Sequence, residues 1–119
     1  MELKNKKIVF LGDSITEGTG VEDPANIYWK ILARMTGAQC FGYGIGGTRI
    51  APQREPSWNP LFDRYFASRI EEMEPDADIV VVFGGTNDFG HGDASFGTMD
   101  DRTEETFRGA VHCLLQKLI

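Results

Sequence analysis

A serine and an asparagine stand where two apolar segments of the chain end. Ser14 follows the apolar run of residues 8–11, and Asn87 follows the run Ile79–Phe83. Acyl transfer needs a nucleophile such as a serine hydroxyl, together with N–H donors aimed at the oxyanion that develops. Ser14 offers a hydroxyl and a backbone N–H, and Asn87 offers a side-chain amide. These two positions therefore predict nucleophilic chemistry on an acyl group.

Turn-forming residues surround both positions. They are Gly12 and Asp13 before the serine, and Gly85 and Asp88 beside the asparagine. All of these residue types favour ordinary turns, so a plain turn is the alternative interpretation of either motif. A third loop over residues 42–48 is rich in glycine. The backbone N–H of a glycine can approach an oxyanion with no side chain in the way, and the third loop can therefore add a donor.

The elements that must position these loops alternate between strands and helices. Apolar runs predict strands over residues 8–11, 38–43 and 79–83, and helical periodicity predicts helices over 26–35, 59–73 and from about 107 onward. This order indicates an α/β fold with a parallel sheet and right-handed crossovers. The loops after parallel strands emerge at one edge of the sheet, so the three loops are expected to converge there.

Other patterns in the chain favour structural roles. The aromatic and aliphatic residues of 59–73 recur at helical spacing and predict a core-facing helix that ends before Pro75. Residues 84–99 show no regular pattern and are predicted to be a loop, and Asp101 to Glu104 resembles a capping box. Gly42 to Gly47 fits the glycine spacing of a dinucleotide site, but a proline-containing loop follows instead of a helix.

Length, charge and composition exclude several classes of protein. The 119 residues have room for a single domain, 1–119, and the formal net charge of -6 argues against a nucleic-acid partner. No apolar stretch has the length of a membrane span, and the N-terminus does not resemble a signal peptide. Cys40 and Cys113 are expected to be buried free thiols, no metal-ligand spacing is present, and a cytoplasmic location is predicted.

These motifs resemble the blocks of the SGNH or GDSL hydrolases, which are serine esterases and lipases. Gly12 to Gly18 matches the first block, Gly85 to Asp88 matches the Gly-x-Asn-Asp block, and Gly47 lies where the second block has its glycine. The resemblance covers about residues 7–92. It implies a flavodoxin-like three-layer α/β/α fold with strand order 2-1-3, no cofactor, and a small-molecule ester as substrate, such as a carbohydrate acetate. It also implies that Ser14 is the nucleophile and that Ser14, Gly47 and Asn87 form the oxyanion hole.

The chain departs from the family pattern at two places. Family members often have asparagine where Gly42 stands, which leaves Gly44 and Gly46 as alternatives to Gly47. The family also has a C-terminal Asp-x-x-His block that supplies the general base, and these 119 residues contain no such block. His91 is expected to line the pocket rather than act as the base, and His112 falls inside the last predicted helix.

The absent block leads to three further expectations. The chain is expected to be the N-terminal part of the family domain without its later strands, and to have weak activity or none on its own. A non-catalytic ligand-binding module, or a pseudoenzyme fragment, is the alternative to an esterase. With no fourth strand beside it, Ile79–Phe83 is predicted to be an exposed apolar edge. The chain is expected either to form a homo-oligomer through this edge or to be completed by a separately contributed C-terminal piece.

Overall fold

Three parallel strands form the sheet in the computed structural model of the chain, which describes residues 2–119. They are β1 (Lys7–Gly12), β2 (Gln39–Gly44) and β3 (Ile79–Phe83), and their order in the sheet is β2-β1-β3. Ile8 of β1 lies opposite Cys40 of β2 and Ile79 of β3. The predicted α/β class and the predicted strand order are confirmed.

Short helices connect and follow the strands. The α-helices are α1 (Ser14–Glu17), α2 (Tyr28–Thr36), α3 (Thr86–His91) and α4 (Phe107–Leu118), and 3₁₀ segments occupy Pro24–Asn26, Pro60–Asp63 and Phe66–Glu72. α2 ends at Gly37, whose left-handed φ of 75° allows its N–H to donate to the carbonyl of Ala33. This glycine is therefore the stop signal for α2.

The predicted helix over residues 59–73 is wrong. Two 3₁₀ segments, Pro60–Asp63 and Phe66–Glu72, take its place, and the chain turns at Arg64 between them. The predicted start is correct, since the Asn59 side chain accepts a hydrogen bond from the N–H of Leu61. The break has a tertiary cause: the N–H of Phe66 donates to the carbonyl of Arg49 at 3.0 Å, and it cannot also serve a continuous helix.

Two further expectations near the C-terminus are wrong. The stretch predicted to be a loop over residues 84–99 contains α3, which begins after Gly85 in the left-handed conformation with φ at 112°. The capping residue of α4 is Thr106, whose hydroxyl accepts from the N–H of Gly109 at 3.1 Å. Asp101 does not cap this helix, because its carboxylate accepts hydrogen bonds from Thr98 and Thr106 instead.

The described chain divides into two compact units, each built from two segments. Residues 2–46 and Met73–Phe83 form one, called the sheet unit here, and Gly47–Glu72 with Gly84–Ile119 form the other, called the second unit. A single domain over residues 1–119 stays a prediction, and Met1 itself lies outside the described residues.

The core of the sheet unit lies between the sheet and α2. Ile8, Phe10 and Ala38 are buried there. The ring of Phe10 stacks on Trp29 at 6.5 Å between ring centroids and meets Tyr28 edge-on at 5.6 Å. Burial of side chains of this size stabilises a fold by about 1.5–3 kcal/mol each, so this cluster fixes α2 against β1.

The core of the second unit lies between α4 and the 3₁₀ segment Phe66–Glu72. Phe66 and Leu114 have 0% and 1% of their surface exposed. Gly84 packs against the ring of Phe66, where a Cβ atom would collide with it. Lys117 also donates to the carbonyl of Ala67 at 3.3 Å, which ties the last turn of α4 to this segment.

Three other predictions concern the outer edge of β3, the two cysteines and membrane-spanning segments. Within residues 2–119, β3 pairs with β1 alone, and its Val80 and Phe83 side chains are exposed. Cys40 and Cys113 are free thiols, and each is half-buried rather than fully buried. Across the same residues, no helix has both the length and the apolar character that a membrane crossing requires.

Candidate functional site

Ser14 is the first residue of α1 and lies just beyond the carboxyl end of β1. The buried carboxylate of Asp13 caps the helix by accepting from the N–H of Ile15 at 3.1 Å. Thr16 is buried and shares a hydrogen bond with the Tyr28 hydroxyl at 2.8 Å, and its carbonyl accepts from the indole N–H of Trp29 at 2.9 Å. These bonds hold the Ser14 turn in a fixed orientation on the sheet unit.

Two glycines of the second loop leave no room for a side chain, and a third lies beside Ser14. A Cβ on Gly44 would lie 2.7 Å from the carbonyl oxygen of Asp13, so α1 leaves no room for one. A Cβ on Gly46 would lie 3.7 Å from the Cβ of Ser14, which puts Gly46 next to the serine. Gly47 has a left-handed φ of 78°, and a Cβ there would lie 2.6 Å from the ring of Phe62. The choice of Gly47 as oxyanion donor over Gly44 or Gly46 stays a prediction.

Gly42 has a structural explanation. It lies in β2 directly against the indole of Trp29, and any Cβ would collide with that ring. An asparagine cannot fit this position while Trp29 occupies the space. The departure from the family pattern at Gly42 therefore follows from the packing of α2 on the sheet.

Arg49 is a buried side chain of the second unit with several polar partners. The residue is 2% exposed, and its Nη2 donates to the Ser57 hydroxyl at 2.9 Å and to the Asp63 carboxylate at 3.1 Å. Its Nη1 lies 2.7 Å from Nδ1 of His91. The side-chain and backbone hydrogen bonds from Ser57 lower the pKa of Asp63 below its ordinary value, and the Arg49 charge acts in the same direction. The guanidinium is therefore clamped on two sides.

Asn87 and His91 lie one helical turn apart on α3. The Nε2 atom of His91 is 3.0 Å from Oδ1 of Asn87, and Nδ2 of Asn87 donates to the carbonyl of Thr48 at 2.9 Å. Residues four apart on a helix share one face, which explains the first contact. The second contact links α3 to the loop that follows Gly47.

Asp88 makes a second link between α3 and the same loop. Its two carboxylate oxygens accept hydrogen bonds from the backbone N–H groups of Ile50 and Ala51, both at 2.9 Å. Gly85 supplies the left-handed turn that starts α3. The structure thus brings Asn87, Asp88 and His91 together around residues 48–51, and it gives Asp88 a positioning role.

A cavity of about 520 Å³ opens beside this cluster in the second unit. Its wall combines aromatic side chains with polar ones. The lining residues include Arg49, Gln53, Asp88, Phe89, Phe96 and Phe107. Phe89 and Phe96 expose 96% and 61% of their surface. A concave, largely apolar wall with a few polar groups is typical of a small-molecule site.

Two other observations concern metals and histidines. Among the described residues, no group of three or more His, Cys, Asp or Glu side chains has an arrangement that could hold a metal ion. His112 lies within α4, inside the helix that the sequence predicted. Both histidines belong to the second unit, while Ser14 belongs to the sheet unit.

The sequence interpretation missed Arg49 and its partners Ser57 and Asp63. The prolines of residues 49–58 predict a loop there. One signal was present: Arg49 stands beside Ile50 and Ala51, and a lone charge in an apolar stretch is a candidate for a paired buried group. The identity of the partners had no local signal.

The chain matches a known protein family over most of its length. The model of the GDSL-like lipase/acylhydrolase family matches residues 10–118. No curated protein matches the chain.

Several solved structures are similar to this one. A protein from Lactobacillus plantarum is 32% identical, with a TM-score of 0.73, over 97% of this chain and 50% of its own. A protein from Bacteroides uniformis ATCC 8492, named as a GDSL-like lipase, is 25% identical, with a TM-score of 0.76, over 96% of this chain and 65% of its own. A carbohydrate acetylesterase family member from Sinorhizobium meliloti shares the fold at 22% identity and a TM-score of 0.55, over 71% of this chain and 43% of its own. The chain thus spans between half and two thirds of the first two structures.

Proposed function

Because this chain belongs to the GDSL-like lipase/acylhydrolase family, a family of ester hydrolases, we propose that Ser14 is the nucleophile of an ester hydrolysis. The observation that carries the proposal is the placement of Ser14 just beyond the carboxyl end of β1, on a turn capped by the buried Asp13 carboxylate. Among residues 2–119, the side chain that caps this turn is that of Asp13 and not that of Ser14. The oxyanion donors in this proposal are the N–H groups of Ser14 and Gly47 and the side-chain amide of Asn87.

The proposed reaction has two steps. Oγ of Ser14 bonds to the carbonyl carbon of the ester, its proton passes to a base, and the carbonyl oxygen becomes an oxyanion that the three N–H groups bind. Collapse of this intermediate breaks the bond to the alcohol, which leaves with a proton, and an acyl-enzyme remains on Ser14. Water then attacks the acyl group, so that a carboxylic acid leaves and the serine is restored.

His91 is a poor candidate for the base in this reaction. A base needs a free lone pair, and Nδ1 of His91 uses its lone pair on Nη1 of Arg49. Its Nε2 faces the amide oxygen of Asn87. We therefore propose that the 119 residues alone hydrolyse esters slowly, because loss of the histidine of a triad can cost about 10⁶ in kcat.

The contacts that occupy both nitrogens of His91 favour a second candidate function. This is a non-catalytic module that binds esters without cleaving them. The cavity of about 520 Å³ would serve either function. Its exposed Phe89 and Phe96 rings, beside polar side chains, suit a ligand that has both apolar faces and hydroxyl groups, and we propose acetylated carbohydrate as that class. The free thiols of Cys40 and Cys113 support a reducing, cytoplasmic location for either function.

Acetylation of Ser14 by p-nitrophenyl acetate separates the two functions. We expect slow release of nitrophenol and one acetyl group on the peptide that contains Ser14, detected by mass spectrometry. The Ser14→Ala variant should lose both signals, whereas Ser95→Ala, a change at an exposed serine, should keep them. Equal rates in the wild type and Ser14→Ala would remove the esterase proposal and leave the binding module.

A further inference from the structure

The hydrogen bonds around Asn87 form one continuous series in the second unit. Nη1 of Arg49 meets Nδ1 of His91 at 2.7 Å, Nε2 of His91 meets Oδ1 of Asn87 at 3.0 Å, and Nδ2 of Asn87 meets the carbonyl of Thr48 at 2.9 Å. We propose that Arg49 and His91 are positioning residues that set the orientation of the Asn87 amide. This inference rests on the proposed function of Asn87 as an oxyanion donor.

The direction of the series is fixed at its first end by Arg49. A guanidinium can only donate hydrogen bonds, so Nδ1 of His91 must accept and carries no proton. A neutral imidazole then has its proton on Nε2, and this N–H donates to Asn87. The tautomer of neutral His91 is therefore set by the hydrogen bond that Arg49 donates to Nδ1.

The direction is fixed independently at the other end by Thr48. A backbone carbonyl can only accept, so the Asn87 atom that faces it must be the NH₂ group. The other amide atom, which faces His91, is then the oxygen, as the Arg49 end also requires. A rotation of this amide by half a turn would set two oxygens against each other and two N–H groups against each other, so one orientation is preferred.

This orientation leaves one N–H of Asn87 for a ligand. An amide nitrogen carries two N–H groups, and within residues 2–119 Nδ2 makes one hydrogen bond, to Thr48. The bond to Thr48 and the bond from His91 fix the plane of the amide and thus the direction of the second N–H. Donors that are fixed before the reaction stabilise an oxyanion without reorganisation, which is the advantage we assign to Arg49 and His91.

Burial and hydrogen bonds hold Arg49, the first residue of this series, in place. Arg49 is 2% exposed, and its second nitrogen is held by Ser57 at 2.9 Å and by Asp63 at 3.1 Å. His91 itself is exposed, so its ring has little packing to hold it in place. The hydrogen bonds to Arg49 and Asn87 therefore orient the ring, and removal of either nitrogen should release the amide.

The test combines a spectroscopic readout with variants of His91. Nitrogen NMR of the 119-residue chain, with His112→Gln used to assign the two histidines, should show an unprotonated Nδ1 and a protonated Nε2 in neutral His91. His91→Phe keeps a ring but has no donor, and we expect acetylation of Ser14 by p-nitrophenyl acetate to slow about tenfold, which is less than the loss of about 10²–10³ that follows removal of an oxyanion donor itself. His91→Gln keeps a donor N–H and an acceptor, and should restore the rate to within about threefold.

Each possible result either supports the positioning role of Arg49 and His91 or contradicts it. A proton on Nδ1 of His91, or acetylation of His91→Phe at the wild-type rate, would overturn it. Asn87→Ala should slow acetylation about 10²-fold, and the added His91→Phe change should slow it no further. If the wild-type chain shows no acetylation at Ser14, the esterase proposal fails, and the His91 tautomer alone decides whether Arg49 and His91 orient Asn87. A circular dichroism spectrum that matches the wild type confirms that each variant is folded.

Discussion

Gly47 and Gly90 are two glycines of the second unit for which alanine should have opposite effects. Gly47 has a φ of 78° and faces the ring of Phe62, whereas Gly90 lies inside α3, where an added Cβ would have no atom within 4 Å. We expect Gly47→Ala to lower the free energy of unfolding by about 1–3 kcal/mol, since a side chain is strained there. Gly90→Ala should raise it by about 1 kcal/mol, because alanine favours a helix.

Denaturant unfolding followed by circular dichroism measures both changes. The two variants serve as controls for each other, since each adds a single methyl group. Equal effects of the same sign would show that the left-handed turn at Gly47 does not form in solution.

Arg49 shows which part of the site could not be predicted. Ser14, Asn87 and Asp88 were singled out because local motifs mark them, and the structure gives Asp88 and Asn87 partners in the loop after Gly47. The partners of Arg49 are 8, 14 and 42 residues away along the chain. Periodicity and motif spacing describe neighbours within a few residues, so a cluster closed by such separations has no local signature.

At the scale of elements, carboxylates anchor the loops of the second unit. Asp93 accepts hydrogen bonds from the backbone N–H groups of Arg54 and Glu55, both at 2.8 Å. Burial alone would raise the pKa of Asp93, but these bonds outweigh it and lower the pKa below the ordinary 3.8. A lowered pKa stabilises the fold fully above pH 3.8, and this contribution is lost as the pH falls through the folded pKa.

Asp93→Asn tests this anchor. We expect the variant to be less stable than the wild type at neutral pH, by about 1 kcal/mol or less because the side chain is exposed. The difference should shrink as the pH falls below the ordinary carboxyl value, where the wild-type carboxylate becomes protonated. Unfolding curves at neutral pH and at about pH 3 measure it. Asp100→Asn, at an exposed aspartate, is the control, and a difference that does not change with pH would contradict the prediction.

The strands were predicted more accurately than the helices, and the difference has physical reasons. The strands were predicted correctly because apolar runs such as Ile79–Phe83 mark parallel strands strongly. Their order was implied by the family resemblance, since apolar runs do not show which strands are neighbours. The helix over 59–73 failed because a bond from Phe66 to the distant Arg49 carbonyl overrides local periodicity. α3 was missed because Gly90 within it, and Gly85 and Gly92 at its ends, lower helix propensity and resemble a loop.

At the scale of the whole molecule, the outer edge of β3 is the feature that bears on assembly. Within residues 2–119 no strand pairs with this edge, and Val80 and Phe83 expose 36% and 44% of their surface. Apolar edges of this kind pair with other strands, so we propose that the 119-residue chain self-associates through β3. Size-exclusion chromatography with light scattering should show a species heavier than one chain.

The Val80→Lys substitution tests whether the edge of β3 is the surface through which the chains associate. A charge on an exposed edge strand opposes pairing with another strand. The dissociation constant for self-association of this variant should therefore be higher than that of the wild type by about tenfold or more. Leu115→Lys, at a side chain on α4 that is 52% exposed, is the matched control and should leave assembly unchanged. A wild-type chain that stays a thermally stable monomer at high concentration would contradict the proposal.

The central place of β1 in the sheet has a consequence for how the chain is made. β1 is synthesised first, yet its neighbour on one side is β3, and 71 residues separate Lys7 from its hydrogen-bond partner Asp78. Translation proceeds at about 5–20 residues per second, so one side of β1 waits about 4 to 14 s for its partner strand. During that interval an apolar strand with a free edge is exposed on the nascent chain. We therefore expect slower translation through residues 45–78 to lengthen this interval and to lower the yield of folded protein.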